Sequence, residues 1–227
     1  MKSALAWLRE HRAARLGLSG LSGLLVLAAI GLIAFPLFSN IFAGVNEGHL
    51  AAELKSPSIR QEYLNGDVGV GESLTRIKIP AINVNVVVVQ GTTETALRAG
   101  AGHYANTPLP CEVGNSAIAG HRTTYGKPFA NLDKLKAGDK IELDTPIGTC
   151  VYELSAAPLT VLPTDVGVVA NTPGKFEVTL TTCTPKYSAT HRLVANATMI
   201  SSTLAESSAS RTATSTGGSP GSIPSAS

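Results

Sequence analysis

The sequence is short of aromatic rings and of charge. Five Phe, five Tyr and one Trp make up 5% of its 227 residues, and Asp, Glu, Lys and Arg together only 15%. A net charge of +2, with no basic run beyond the N-terminus, argues against a nucleic-acid binder. No Cys-x-x-Cys pair is present, so the usual spacing of a zinc site is missing. Cysteines number only three, an odd count that in an extracellular protein suggests one pair and one free reactive thiol. No internal repeat is evident, and no second long apolar run follows the first. From Ser201 onward large apolar side chains are nearly lacking, so residues 201–227 are expected to be a disordered Ser/Thr/Gly/Pro-rich tail.

The single apolar run covers residues 16–38. At 1.5 Å per residue it spans a hydrocarbon core of about 30 Å. Its length exceeds the roughly 7–15 apolar residues of a cleaved signal peptide, so it reads as an uncleaved transmembrane anchor. Lys2, Arg9, Arg12 and Arg15 precede it against a single Glu10, which predicts a cytoplasmic N-terminus over 1–15 and an extracellular remainder. Residues 39–71 are polar and mixed and read as a stalk or linker, with a short helix over Ala51–Leu64 and a glycine-rich break at 65–71.

Residues 72–200 carry the folded domain. Valine, threonine and isoleucine are plentiful there, as in β-rich proteins. Strands are predicted at Leu74–Ile79, Ile82–Val89, Asn115–Ala119, Lys140–Asp144, Cys150–Leu154, Phe176–Cys183 and Arg192–Ile200, with Pro158–Leu162 extended. Glu94–Arg98 and Pro128–Leu135 read as short helices, the second from Pro at its first position and Phe129, Leu132 and Leu135 at helical spacing. About eight short strands with few helices make the fold class all-β, a closed or nearly closed barrel.

One stretch carries reactive chemistry. Thr179-Leu180-Thr181-Thr182-Cys183 alternates so that Cys183 falls on the polar face at a strand end. A nucleophilic thiolate needs a nearby base or cation. Of the histidines, His121 follows Gly120 at the close of a strand and is the best candidate for that base. His103 lies in a loop-like Gly-Ala-Gly-His segment and suits a structural hydrogen bond, whereas His191 points away from its neighbour Arg192. Arg192 opens the strand after Cys183, and no acidic residue between the two claims its charge. A fixed donor of this kind can stabilise the oxyanion of an acyl-transfer intermediate.

These pieces resemble the sortases, membrane-anchored cysteine transpeptidases of Gram-positive bacteria. The matching motifs are Ala119-Gly120-His121, Thr179-Leu180-Thr181-Thr182-Cys183 and Arg192-Leu193-Val194, in that order, with Asp133-Lys134-Leu135-Lys136-Ala137-Gly138-Asp139 between the first two. The segments His121–Gly126 and Pro185–Ala189 are most like class E, the actinobacterial housekeeping type. Thr190-His191-Arg192 also looks like class C, the pilin-polymerising group, but the Asp-Pro-Trp-type lid motif and C-terminal span of that class do not appear. Class D stays open as a further alternative.

The resemblance implies an eight-stranded sortase-type barrel and a thioester mechanism with no metal and no cofactor. Cys183 would attack the Thr carbonyl of a Leu-Ala-x-Thr-Gly or Leu-Pro-x-Thr-Gly-type sorting signal. His121 would serve as acid and base, and Arg192 would steady the oxyanion. The implied partners are secreted proteins bearing the signal, a peptidoglycan precursor or other amine acceptor, and the membrane. Tyr125, Thr182 and Tyr187 are candidates for lining the substrate groove, and family knowledge links a tyrosine placed like Tyr125 to tolerance of Ala in the signal. Cys111 and Cys150 are the candidate disulfide pair; their spacing alone leaves the bond open. A hydrolytic cysteine peptidase is the competing enzyme reading, though papain-like enzymes place the histidine after the cysteine.

Overall fold

The computed structural model describes residues 12–204. The first eleven residues of the expected cytoplasmic stretch, and the expected tail beyond 204, lie outside the described residues. Nine strands form: β1 (Ser73–Ile79), β2 (Val84–Gln90), β3 (Ala101–His103), β4 (Gly114–Ala119), β5 (Lys140–Thr145), β6 (Gly148–Leu154), β7 (Leu159–Val161), β8 (Phe176–Thr184) and β9 (His191–Ser202). Eight of them hydrogen-bond in the order β6-β5-β1-β2-β3-β4-β8-β9, and β6 pairs back onto β9 to close an eight-stranded barrel. The ninth, β7, pairs with the start of β9 (Val161↔Arg192, Leu159↔Val194), while β6 takes its far end (Leu154↔Ala197, Cys150↔Ser202). Because β9 has twelve residues, it can serve both partners.

Alternation drives closure. One face of each of the eight barrel strands faces a single core, with Ile77, Ile118, Leu143, Tyr152, Val178 and Leu180 among its side chains. Each such side chain contributes roughly 1.5–3 kcal/mol on leaving water. The outer face of β8, expected to be exposed, is also buried. It is polar but paired: Thr179 donates to Asn115 Oδ1 (2.8 Å) and accepts from Asn196 Nδ2 (3.0 Å). Asn115 Nδ2 in turn donates to the carbonyls of Val168 and Ala170 in the β7–β8 connection that covers this face.

Three local expectations change. Pro128–Leu135 is not a helix; only a 3-10 turn at Leu132–Lys134 forms. Phe129, Leu132 and Leu135 are nonetheless buried, so the spacing marked core contacts rather than a helical backbone. The strand expected from Ile82 begins at Val84, because Pro80–Ile82 makes a 3-10 turn closed by left-handed Asn83. The glycine-rich segment read as a loop before Tyr104 is β3, a strand so tightly packed that a Cβ on Gly102 would sit 2.4 Å from the Gly91 carbonyl oxygen.

The N-terminal half differs most. Helix α1 (Arg12–Glu53) runs through the apolar segment and on through the stretch expected to be a stalk. Its portion from Leu16 is long and apolar enough to cross a membrane, with a mean hydropathy of 2.4 and none of the most apolar window buried. From residue 39 the helix becomes one-sided: Ser39, Ala43 and Leu50 are buried against the barrel. Glu47 pairs with Arg76 of β1 (3.0 Å) and accepts from the Val87 amide of β2, and Leu50 packs with Val87 and Val89. Ser73 donates to the Leu50 carbonyl and the Glu53 carboxylate. A second helix, α2 (Pro57–Asn65), starts at an N-cap, Ser56, followed by Pro57, and ends at left-handed Gly66. It seals one end of the barrel with Tyr63, which packs with Leu74, Leu109 and Ile147 and donates to the Pro110 carbonyl. At the other limit, β9 continues to Ser202 and Thr203 donates to the Thr149 carbonyl, so residues 201–204 belong to the barrel rather than the tail.

Cys111 and Cys150 form a disulfide joining the β3–β4 connection to β6. The Cys111 amide also donates to the Tyr152 hydroxyl (3.0 Å), and burial raises that phenol to about 12. His103 is structural. Its Nε2 donates to the Pro108 carbonyl (2.9 Å), its Nδ1 lies 2.7 Å from the side-chain amide of Gln90, and burial lowers its pKa to about 4.

Two predictions follow from this core. A depressed histidine is neutral when folded, so its contribution is complete above the unfolded pKa of about 6.5 and is lost as pH falls toward 4. Denaturant titrations of the full chain should lose on the order of 3 kcal/mol across that window, and His103→Gln should flatten the slope. An equally steep slope in the variant would contradict the assignment. The disulfide closes a separation of 39 residues, which contributes ~3–4 kcal/mol through the unfolded chain. Replacing Cys111 and Cys150 with Ser should therefore lower the calorimetric midpoint by several degrees, and an unchanged midpoint would refute it.

Candidate active site

Two ladders assemble the site. Strands β4 and β8 are parallel neighbours with Ala119 opposite Thr181. Counting two residues forward on each places His121 and Cys183 at the same rim of the barrel. The Gly120 amide extends this pairing by donating to the Thr181 carbonyl (3.0 Å). The β8–β9 ladder then sets Arg192 directly opposite Cys183, on the same face. Residues more than sixty positions apart in sequence thus converge without any local motif to hold them.

Gly120 is required by packing. A Cβ there would lie 2.6 Å from the ring of Phe129, which is fully buried beneath it. The Phe129 amide donates to the His121 carbonyl (3.2 Å) and fixes the backbone of that loop. Thr182, expected to line the groove, is buried instead. Its hydroxyl donates to the Gly120 carbonyl (2.7 Å), so it ties the cysteine strand to the histidine loop and does not face substrate.

An open cleft of about 390 Å³ lies at this rim, lined by His121, Cys183, Arg122, Thr123, Pro185 and Tyr187, with Ser188 and Ala189 completing it. Cys183 is the free cysteine of the described residues. His121 is half-buried, and its Nε2 is buried with no hydrogen-bond partner. Burial pushes the imidazole below the ordinary histidine value, the Arg98 guanidinium adds to this, and Glu94 opposes it. Tyr187 stands at the mouth, 90% exposed and in the left-handed region at φ 66°. Arg192 donates to the carbonyls of Ala189 (3.0 Å) and His191 (3.2 Å), which anchors the β8–β9 loop, and it borders the cleft rather than lining it. Tyr125 is also outside the lining; its ring sits 5.4 Å from that of His121.

Sequence reasoning missed Arg122. This side chain is only 7% exposed. It pairs with Asp133 (3.0 Å) and donates to Thr184 Oγ1 (2.6 Å) and, more weakly, to the Cys183 carbonyl (3.4 Å). One cation thereby joins the histidine loop, the Leu132–Lys134 turn and the end of β8. The signal was available as a cation beside His121 and an acid eleven residues beyond that cation, at the start of the Asp133–Asp139 segment, but nothing in the spacing shows that they meet.

A closed β-barrel that brings a free thiol and an imidazole with an unpartnered Nε2 to one open cleft has the parts used by the class of thiol enzymes. Residues 77–200 match the Sortase domain model. The chain is 30% identical over 211 residues to Sortase SrtE2 of Streptomyces coelicolor, covering 82% of this chain and 83% of that protein. It is 28% identical over 172 residues to Sortase SrtE1 of the same organism, covering 69% of this chain but only 49% of the relative. Among solved structures, sortase E from Streptomyces avermitilis aligns with a TM-score of 0.56 at 35% identity, over 61% of this chain and 94% of that one. A Clostridium perfringens Sortase D5 transpeptidase aligns with a TM-score of 0.62 at 28% identity, over 70% and 99%. The chain belongs to the sortase family.

Arg122 generates a prediction. Arg122→Met keeps the aliphatic stem but leaves Asp133 and Thr184 without their donor, at a cost of about 1–3 kcal/mol. Stability should fall by that amount in urea, and alkylation of Cys183 by iodoacetamide should lose its single rate as the strand end loosens. A variant with wild-type stability and a single wild-type rate would show the clamp to be idle.

Proposed function

We propose that this chain is a class E-type sortase that cleaves a Leu-Ala-x-Thr-Gly or Leu-Pro-x-Thr-Gly-type signal between Thr and Gly. The single observation that carries the reading is the convergence in one cleft of free Cys183 and His121, whose buried Nε2 has no hydrogen-bond partner. The Cys183 thiolate attacks the Thr carbonyl carbon, forming the C–S bond while the carbonyl becomes an oxyanion. Arg192, opposite Cys183, is the cation that stabilises this charge. The oxyanion collapses, the C–N bond to Gly breaks, and His121 gives its proton to the departing amine. An acceptor amine then attacks the thioester, His121 takes back a proton, and Cys183 leaves as thiolate. The acceptor is an amine of a peptidoglycan precursor or of another wall component.

The lowered His121 pKa makes its imidazolium a stronger acid toward the departing amine and its neutral ring the more populated form. Tyr187 and Thr123 line the cleft, which supports a role for both in meeting the peptide. Helix α1 serves as a single-pass anchor with the N-terminus cytoplasmic and the barrel outside, where the Cys111–Cys150 disulfide persists. A second reading is a class D-type sortase, favoured by the fit to the Clostridium perfringens enzyme.

The test uses mass spectrometry of the full chain with signal peptides. Wild type should gain an acyl adduct that an added amine removes as a new amide, and Cys183→Ala should gain none; an adduct on the variant would sink the mechanism. Product that is only hydrolysed, with amine in excess, would favour a peptidase. Faster cleavage of Leu-Ala-x-Thr-Gly supports class E, whereas a clear preference for Leu-Pro-x-Thr-Gly overturns that class while leaving the chemistry intact.

A further inference from the structure

The turn that carries Tyr125 has an unusual backbone. Tyr125, Gly126 and Lys127 are three consecutive left-handed residues, at φ 49°, 71° and 43°. Glycine accepts this region freely, but for Tyr and Lys it costs roughly 1–2 kcal/mol each. A surface turn holds such a conformation only when its surroundings enforce it. Here the enforcing contacts come from an unexpected element. The Gly126 amide donates to Asn40 Oδ1 of α1 (3.3 Å). A Cβ on Gly126 would meet Ala43 Cβ at 3.2 Å, so turn and helix are already in close contact. Phe35 of α1 packs edge-on against the Tyr125 ring, with centroids 6.3 Å apart at 85°.

The turn has a second neighbour. Helix α3 (Glu94–Ala99) places the Arg98 guanidinium 5.6 Å from the Tyr125 ring centre, and Glu94 pairs with Arg98 from the same helix. Tyr125 is therefore enclosed by Phe35, Arg98 and His121. Displacing its ring would uncover the imidazole on that side and move the Arg98 charge relative to it.

We propose that the anchor helix is a working part of the catalytic site: Phe35 and Asn40 are positioning residues that hold the 123–127 turn in its left-handed form and so set Tyr125 against the His121 ring. The proposal rests on the reading of His121 as the acid and base. Neither α1 residue touches the cleft. They act through Tyr125, and the step they control is the one in which His121 moves a proton. A barrel lacking this part of α1 would keep Cys183 and its strand pairing but lose the support of the turn.

The full chain in lipid nanodiscs provides the test, with Asn40→Ala, the Phe35→Ala/Asn40→Ala double variant, Phe35→Tyr/Asn40 as a rescue that keeps the ring, and Ile41→Ala as a control on the exposed side of α1. Hydrogen exchange of the peptide over residues 122–128 and the kcat and KM for thioester formation are read together. In the double variant, exchange should speed up about tenfold and kcat fall about tenfold, with KM changed less than about threefold. Asn40→Ala should show the same direction at smaller amplitude. Phe35→Tyr and Ile41→Ala should match wild type in both measurements, and protection of β8 should be unchanged throughout. Unchanged exchange in the double variant overturns the proposal, as does faster exchange with wild-type kcat. Wild-type protein that forms no thioester would remove the reading of Cys183 and His121 itself, and this inference with it; an active wild type with an equally active double variant removes this inference alone.

Discussion

The site depends on one register, that of the parallel pair β4 and β8. Parallel pairing aligns the two C-terminal ends, so whatever follows each strand emerges at the same rim. That places a histidine and a cysteine from distant parts of the chain at one cleft. A slip of one residue would turn every side chain of β8 to the opposite face. Thr182 would leave the Gly120 carbonyl, and Cys183 would exchange faces with its neighbours. The register is therefore secured on both faces, by Val178 and Leu180 in the apolar core and by the Asn115–Thr179–Asn196 hydrogen bonds outside it.

Polar groups around the cleft divide the work of holding and reacting. Thr182 and Arg122 spend their donors on the protein itself, on the Gly120 carbonyl and on Asp133 and Thr184. His121 Nε2 is buried without a partner, and leaving such a nitrogen unpaired costs roughly 1–3 kcal/mol. Firm pairing around one unpaired nitrogen leaves the surroundings ordered before any ligand arrives, which is the physical form preorganisation takes. Arg192 falls between the two kinds, since it braces the β8–β9 loop while facing the same side as Cys183.

Much of the barrel could be read from alternation, because period-2 patterns in β1, β5, β6 and β8 coincide with a one-sided core. The motifs around His121, Cys183 and Arg192 stood out by their resemblance to the sortases rather than by alternation, and each lies near a strand end. What alternation missed has physical causes. β3 is three residues long and glycine-rich, so it has no pattern to show. Phe129, Leu132 and Leu135 have helical spacing without helical backbone, because a chain making a 3-10 turn over a core buries the same positions. Thr182 has the polarity of a groove residue but spends it internally. Arg122 needed the partner positions of Asp133 and Thr184, which only the tertiary fold supplies. The segment 39–71 looked like a stalk from its polarity, yet Ala43, Glu47, Leu50 and Leu54 recur at helical spacing, a face that becomes visible only once the barrel surface it covers is known.

The continuity of α1 has a consequence for where the enzyme can reach. A flexible stalk over residues 39–71 would let the barrel wander through a volume with a radius of about 30 Å. The helix instead rises from the apolar segment for about fifteen more residues, or about 22 Å, with the barrel fastened along its side. With the apolar segment in a bilayer, such a barrel cannot roam. Its cleft travels at one altitude over the membrane, and encounter becomes a search in two dimensions, in which a partner's height matters as much as its concentration.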